Sequence, residues 1–344
     1  MEDWKKEAER LKFEENKSWT QVAEAIAPYL PELDKQQRFE KVRGALRKTE
    51  QYKTRGAVTF EDKKEPTVED VDAYYEQLKR MNECVMRLEK KQTKTSIHID
   101  DNKPIGICHW GDWHIGDKGM DYNRLDADQE IINKTDGLYV IGMGDYKGNA
   151  SALVHQAGTQ DSVATTDMQD LIVQRVVQKS PDKFIVIIRG CHDDWDKRNA
   201  NKDFIQSLCD ISGAVNLWHG GIINLTVGNI EYRIGARHKY KNESSLNTTN
   251  TQRSFINDYG ACDVVCFAHK HFADLQQIRR MGEEIIYLRS GAYKVYDEFG
   301  QKLAGYEAIH GVPMVIYFPD KKETIPFRDL ETGVKMLHAL RGQH

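Results

Sequence analysis

The chain has little cysteine, no long apolar run and no strong charge of either sign. Its six cysteines, at 84, 108, 191, 209, 262 and 266, follow no framework spacing. With no export signal ahead of them, they read as reduced thiols rather than disulfide staples. No apolar stretch approaches the roughly 18 residues that cross a bilayer, so no membrane association is expected. The first residues, "MEDWKKEAERLKFEEN", are charged and helical in pattern and lack a signal-peptide core. These absences lead to the expectation of a cytoplasmic protein, in the host cytoplasm if the chain is phage-encoded. A formal net charge of -4 leaves no global basic field, so any attraction to nucleic acid must be local. Repeats and low-complexity tracts are missing as well.

What is present divides into three stretches. Residues 1–60 read as short helices. "KSWTQVAEAIAPYL" opens with Ser18 and has Gln21 three places on, a capping box, followed by Trp19, Val22, Ala23 and Ile26 on one face. After Pro28 and Pro31, Asp34 caps a second helix that carries Phe39, Val42 and Leu46 at helical spacing. Between Lys35 and Arg55 there are eight Lys or Arg against two Glu, a local charge of +6. A short helix, a break and a basic helix make a helix-turn-helix-like, DNA-binding reading, against the plainer one of a solvated helical cap. Residues 61–95 follow: "EDKKEP" as a linker, then one long helix from Thr67. Its apolar stripe is expected to meet either the next domain or a partner chain, which leaves a homo-oligomer or a protein partner open.

From residue 96 to 344 the texture is α/β. Short apolar runs such as Phe184–Ile188 suit buried strands with helices on the sheet faces. Run after run ends in a metal-ligand residue type: Asp112 and His114, Asp145, Cys191 and His192, His238, then His269 and His271. A lone D-x-H or H-x-H is commonplace. Five such pieces in succession, each behind an apolar run, are expected to converge outside the carboxyl ends of the strands. Mixed carboxylates and imidazoles suit Mn²⁺, Fe²⁺ or Zn²⁺ better than Ca²⁺ or Mg²⁺. Seven donors exceed one tetrahedral shell and fit two ions, the arrangement of two-metal phosphoester hydrolysis.

The series resembles the calcineurin-like metallophosphoesterases, over residues of about 105–292. The matching motifs are Asp112-Trp113-His114, Gly144-Asp145, Gly190-Cys191-His192-Asp193, His238 and Ala268-His269-Lys270-His271. The resemblance implies a two-sheet sandwich flanked by helices and two divalent ions, Mn²⁺ first, with Zn²⁺ or Fe²⁺ as alternatives. It implies one ion on Asp112, His114 and His271, a second on His238 and His269, and Asp145 bridging them. His192 becomes the general acid, with Asp193 orienting its ring. Cys191 stands where the family has an Asn ligand, so either its thiolate binds the second ion or the thiol stands back.

Local cations (Lys147, Arg189, Lys197, Arg198, Arg237, Lys239, Lys241 and Lys270) and flanking Trp110, Trp113 and Trp195 tilt the substrate toward a nucleic-acid backbone with a stacked base. With the basic N-terminal helices, the sum is similar to phage and bacterial DNA-repair exonucleases of that group. The leading expectation is a two-metal phosphodiesterase acting on DNA. Alternatives are a phosphomonoesterase or nucleotide phosphodiesterase whose N-terminal domain recruits a protein, and a non-catalytic DNA-binding or assembly protein with a degenerate metal site.

Overall fold

A computed structural model describes residues 3–53, 67–88, 91–150, 159, 161–244, 247–280, 282–295 and 310–342. The chain divides into two compact units, Met1–Met86 and Arg87–His344. The expected linker at 61–66 lies outside the described residues.

In the first unit, α1 (Asp3–Glu9) runs into a π turn, followed by α2 (Trp19–Ala25) and α3 (Lys35–Lys53). Ser18 caps α2 as its spacing predicts. Gln21 N donates to Ser18 Oγ at 3.3 Å, and Ser18 N donates to Gln21 Oε1 at 2.9 Å. Asp34 and Gln37 repeat the exchange at the start of α3, at 2.8 and 3.0 Å. These caps satisfy helix-terminal N–H groups that would otherwise go unpaired. Trp4, Ala8, Leu11, Val22, Ile26, Leu30, Val42 and Leu46 form a small core of their own. The long helix α4 (Val68–Leu88) instead leaves Val71, Tyr74, Leu78, Met81 and Val85 exposed.

The second unit is built on two six-stranded sheets. Its elements in order are β1 (Lys94–Ile99), β2 (Ile105–Trp110), α5 (Tyr122–Lys134), β3 (Leu138–Gly142), α6 (Thr166–Gln178), β4 (Phe184–Ile187), α7 (Asp194–Ala200), α8 (Phe204–Ser212), β5 (Val215–Asn216), β6 (Gly220–Val227), β7 (Ile230–Arg237), α9 (Asn250–Tyr259), β8 (Val264–Phe267), β9 (Asp274–Arg280), β10 (Glu283–Arg289), β11 (Met314–Tyr317), β12 (Thr324–Phe327) and α10 (Leu330–Arg341). One sheet has the order β1-β6-β7-β8-β10-β9 and the other β12-β11-β2-β3-β4-β5. Strands β2 to β5 run parallel, as do β7, β8 and β10.

Both faces of these strands are apolar because both are covered. On β2, Ile105 and Ile107 face the other sheet, while Cys108 and Trp110 face the helical layer. On β8, Val264 and Cys266 point between the sheets, and Val265 and Phe267 pack with Phe255 and Ile256 of α9. The inter-sheet layer joins Ile107, Ile141 and Val186 to Ile223, Ile234 and Leu288. Among the described residues, no helix is long and apolar enough to cross a membrane. Ile107 is fully buried in the inter-sheet layer. Ile107→Ala is therefore expected to cost roughly 2–5 kcal/mol, read from the urea midpoint of unfolding.

Candidate metal centre

Five strands of the sandwich, β2, β3, β4, β7 and β8, deliver the expected donors just past their carboxyl ends. Asp112 and His114 follow β2, Asp145 follows β3, and Cys191 and His192 follow β4. His238 follows β7, and His269 and His271 follow β8. Asp112, His114 and His271 offer ligand atoms within 4.8 Å of one another, and so do Cys191, His238 and His269. Asp112, Asp145 and His238 form a third such group that links the other two. All seven donors named from the sequence thus come together. Cys191 is among them, its Sγ grouped with ring nitrogens of His238 and His269.

The backbone at these positions is unusual. Asp112, His114, Asp145, His269 and His271 all have left-handed φ, between 49 and 72°. Such conformations cost about 1–3 kcal/mol each and persist only where surroundings enforce them. Here the loops past the strand ends tie one another down. Asp112 N donates to Gly144 O at 2.8 Å, His114 N to Asp145 O at 3.1 Å, and Tyr293 N to Asp112 O at 3.1 Å. His269 N reaches Asp112 Oδ2 at 3.1 Å, and His192 N reaches Asp145 Oδ1 at 2.8 Å.

The electrostatics of the cluster suit a cation. Asp112 and Asp145 are fully buried, and Asp112 Oδ1 and His114 Nδ1 have no hydrogen-bond partner. Burial, reinforced by the Asp145 charge, pushes the Asp112 carboxyl up to about 8. Burial also holds His271 at about 4, His269 at about 3 and His114 well below its ordinary value. Neutral imidazoles beside buried carboxylates are the form that ligates divalent metal. His238 departs from this pattern. Burial would depress it, but Asp145 Oδ2, 3.0 Å from its Nε2, pulls it well above the imidazole range. The same contact, against the cost of burial, holds Asp145 well below the carboxylate range. A bound cation would take the place of that proton. His238 Nδ1–H donates to Met143 O at 2.9 Å, which points Nε2 at the centre. The residues present fit two divalent ions.

His192 and Asp193 are arranged differently from the expectation. Asp193 does not orient the His192 ring. Its carboxylate accepts from the backbone N–H groups of Asp145 and Gly190, both at 2.8 Å, and of Tyr146 at 3.3 Å. It acts as a brace that holds the Asp145 turn against the Gly190 turn. The His192 ring is set by Nδ1–H donating to Gly148 O at 2.6 Å and by stacking on Trp195, with centroids 4.2 Å apart.

The surrounding residues correct two further expectations. Trp110 and Trp113 are fully buried in the helical-side core and cannot meet a base. Lys147 and Arg189 are buried too. Lys147 pairs with Asp170 and, at 2.6 Å, with Asp196; Arg189 pairs with Asp203 and, at 3.5 Å, with Asp194. Lys241 sits 2.8 Å from Asp258, and Lys270 3.7 Å from Glu243. Two carboxylates escaped the sequence reading. Asp117 Oδ2 lies 3.7 Å from His114 Nδ1 and accepts from Lys294 at 3.1 Å. Glu243 Oε2 lies 3.8 Å from His269 Nε2. Asp117 was visible as the last residue of "GDWHIGD", whereas Glu243 stands in no motif.

Two mixed sheets face to face, helices on both outer faces and a donor cluster at the strand ends make up the helix-flanked α/β sandwich expected from the sequence. No protein-family model matches the chain, and no curated protein does. Among solved structures, it is similar to Vps29 of Entamoeba histolytica complexed with zinc, at 10% identity and a TM-score of 0.36, covering 65% of this chain and 98% of that one. It is similar also to a conserved Streptococcus pneumoniae protein described as a predicted phosphoesterase (11% identity, TM-score 0.31, 65% and 98% covered). A third is the Pseudomonas putida nuclease MPE (14% identity, TM-score 0.30, 64% and 87% covered).

Gly190 shows how tightly the centre is closed. A Cβ there would stand 2.1 Å from Asp145 Oδ1 and 2.2 Å from Asp145 N. Gly190→Ala is therefore expected to displace Asp145 and lower bound metal below the parent's content, measured by plasma emission after desalting. Parent-level metal in this variant would contradict the placement of Asp145 in the centre.

Proposed function

We propose that the chain is a two-metal phosphodiesterase that hydrolyses DNA. The observation that carries this reading is the pair of overlapping donor groups, Asp112–His114–His271 and Cys191–His238–His269, joined through Asp112 and Asp145. When bound, two such ions supply a hydroxide near neutral pH and neutralise charge on the phosphate. The chain's residues do the rest. Asp145 ties the two groups together while the Asp193 brace fixes its backbone. His192, with Nδ1 committed to Gly148 O, keeps Nε2 to carry a proton toward the leaving oxygen. The exposed Arg43 and Arg47 of the basic helix α3 support DNA as the polyanion.

Hydrolysis of a bis-nitrophenyl phosphodiester and of single- and double-stranded DNA, with Mn²⁺ or Zn²⁺ and with a chelator, tests the reading. Activity is expected on the diester and on DNA, and none with the chelator. Asp145→Asn should abolish it. His192→Ala should lower turnover by roughly 10²–10⁴ while leaving metal content near that of the parent. A parent that cleaves monoesters and no diester would overturn the proposal.

For the partner of α4, we propose a second copy of the chain. Val71, Tyr74, Leu78, Met81 and Val85 alternate at spacings of three and four, the heptad seam of a coiled coil, with Val at two of the recurring positions. Leu78→Asp is expected to halve the mass seen by light scattering. A monomeric parent would remove this partner.

A further inference from the structure

The nucleic-acid reading leaves one aromatic side chain unexplained. Trp218, at the corner between β5 and β6, was not among the tryptophans singled out by the sequence. It is half-buried, and its backbone sits at φ 55°, a left-handed conformation that a bulky residue rarely takes. The corner is pinned: Arg189 N donates to Trp218 O at 2.7 Å, and Trp218 N donates to Asn216 Oδ1 at 3.1 Å. The position is pinned between the two walls of the Cys191 group. Arg189 lies two residues before Cys191. Gly220, two residues after Trp218, pairs with Arg237, the neighbour of His238.

Three cations gather on this one ring. The Arg189 guanidinium carbon is 3.9 Å from the ring centroid, Lys91 Nζ 4.0 Å and Lys197 Nζ 5.1 Å. Arg189 is buried and held by Asp194 and Asp203, so it backs the ring from the interior. Lys91 is exposed at the end of a flexible stem. His219 stands edge-on to the ring at 5.3 Å, its Nε2 3.3 Å from Asp194 Oδ2. An aromatic face backed by a buried cation and edged by two lysines answers two chemistries at once, a flat π-system and an anion. A nucleic-acid strand carries both in each unit. A duplex keeps its base faces stacked inside, so the ring selects an unpaired base.

We infer that Trp218 is the stacking platform of a single-stranded DNA subsite beside the Cys191–His238–His269 group, with Lys91 and Lys197 taking the adjoining phosphates. This rests on the nuclease reading above and gives it a substrate form: a strand is bound unpaired next to the metals. Lys91 leaves the ring as the base arrives and stays close enough to meet its phosphate.

The test measures anisotropy of a labelled single-stranded oligodeoxynucleotide with phosphorothioate linkages, which resist cleavage, on the full chain with metal. Trp218→Ala is expected to weaken binding by about 5- to 150-fold, the range of one lost base stack. Trp218→Phe should restore most of it, which a purely structural corner residue would not do for the DNA alone. The Lys91→Gln, Lys197→Gln double variant should flatten the slope of log K against log salt by about 1.4. Blunt duplex of the same sequence should lose little in Trp218→Ala. If the parent binds the strand and hydrolyses the nitrophenyl diester while Trp218→Ala binds as tightly, the subsite falls and the phosphodiesterase reading stands. Equal losses on strand and duplex likewise overturn stacking. A parent that hydrolyses the diester without binding the strand overturns the subsite together with DNA as substrate.

Discussion

Two carboxylates, Asp112 and Asp145, are held together fully buried, and the loops at the strand ends of the second unit answer to that constraint. Like charges in a buried site repel, and burial drives Asp112 toward its protonated form while His238 answers the charge of Asp145. The left-handed turns, the cross-linking backbone hydrogen bonds and the Asp193 brace all hold these groups where their own electrostatics would separate them. Stability elsewhere, in the apolar layer between the sheets, offsets the strain at the rim. A centre under strain over a rigid core is the usual economy of a functional site.

The donors were legible because each belongs to a pattern. An apolar run followed by Gly and a ligand-type residue states both a strand and its end, and five repetitions state a common rim. The helical caps at Ser18 and Asp34 were legible for a similar reason, since the partners lie three residues apart. What sequence could not supply were relations across long separations. Lys147 looks like a free cation beside "GMGD" until Asp170 and Asp196 fold onto it. Trp110 and Trp113 flank metal motifs in the sequence, yet strand alternation and the turn after β2 send them into the core. Asp193 follows His192 directly, but its oxygens point back at the turn holding Asp145, and a main-chain carbonyl, which no side-chain motif records, fixes the His192 ring.

Cys191 gives the donor cluster its one sulfur. Its sulfur lies with ring nitrogens of His238 and His269 rather than turning away, so that group contains a soft atom. The two halves of the centre then differ in character: oxygen and nitrogen on the Asp112 side, sulfur and nitrogen on the Cys191 side. Thiolate donors shift a site's preference toward zinc and iron. The asymmetry sits on the side where the Trp218 corner closes against the strand ends.

The spread of the donors along the chain has a kinetic meaning. From Asp112 to His271 the centre draws on roughly 160 consecutive residues, and on strands of both sheets. Contacts of such long sequence separation form late, because each must first overcome the entropy of closing a long loop. The donor rim therefore completes itself only once the sandwich has closed, and the gathering of its donors marks the end of folding rather than its nucleus. A nascent chain carrying β2 and β3 alone has Asp112 and Asp145 but only one of the imidazoles that complete the donor set, so during synthesis the set stays incomplete until the segment past β8 has emerged.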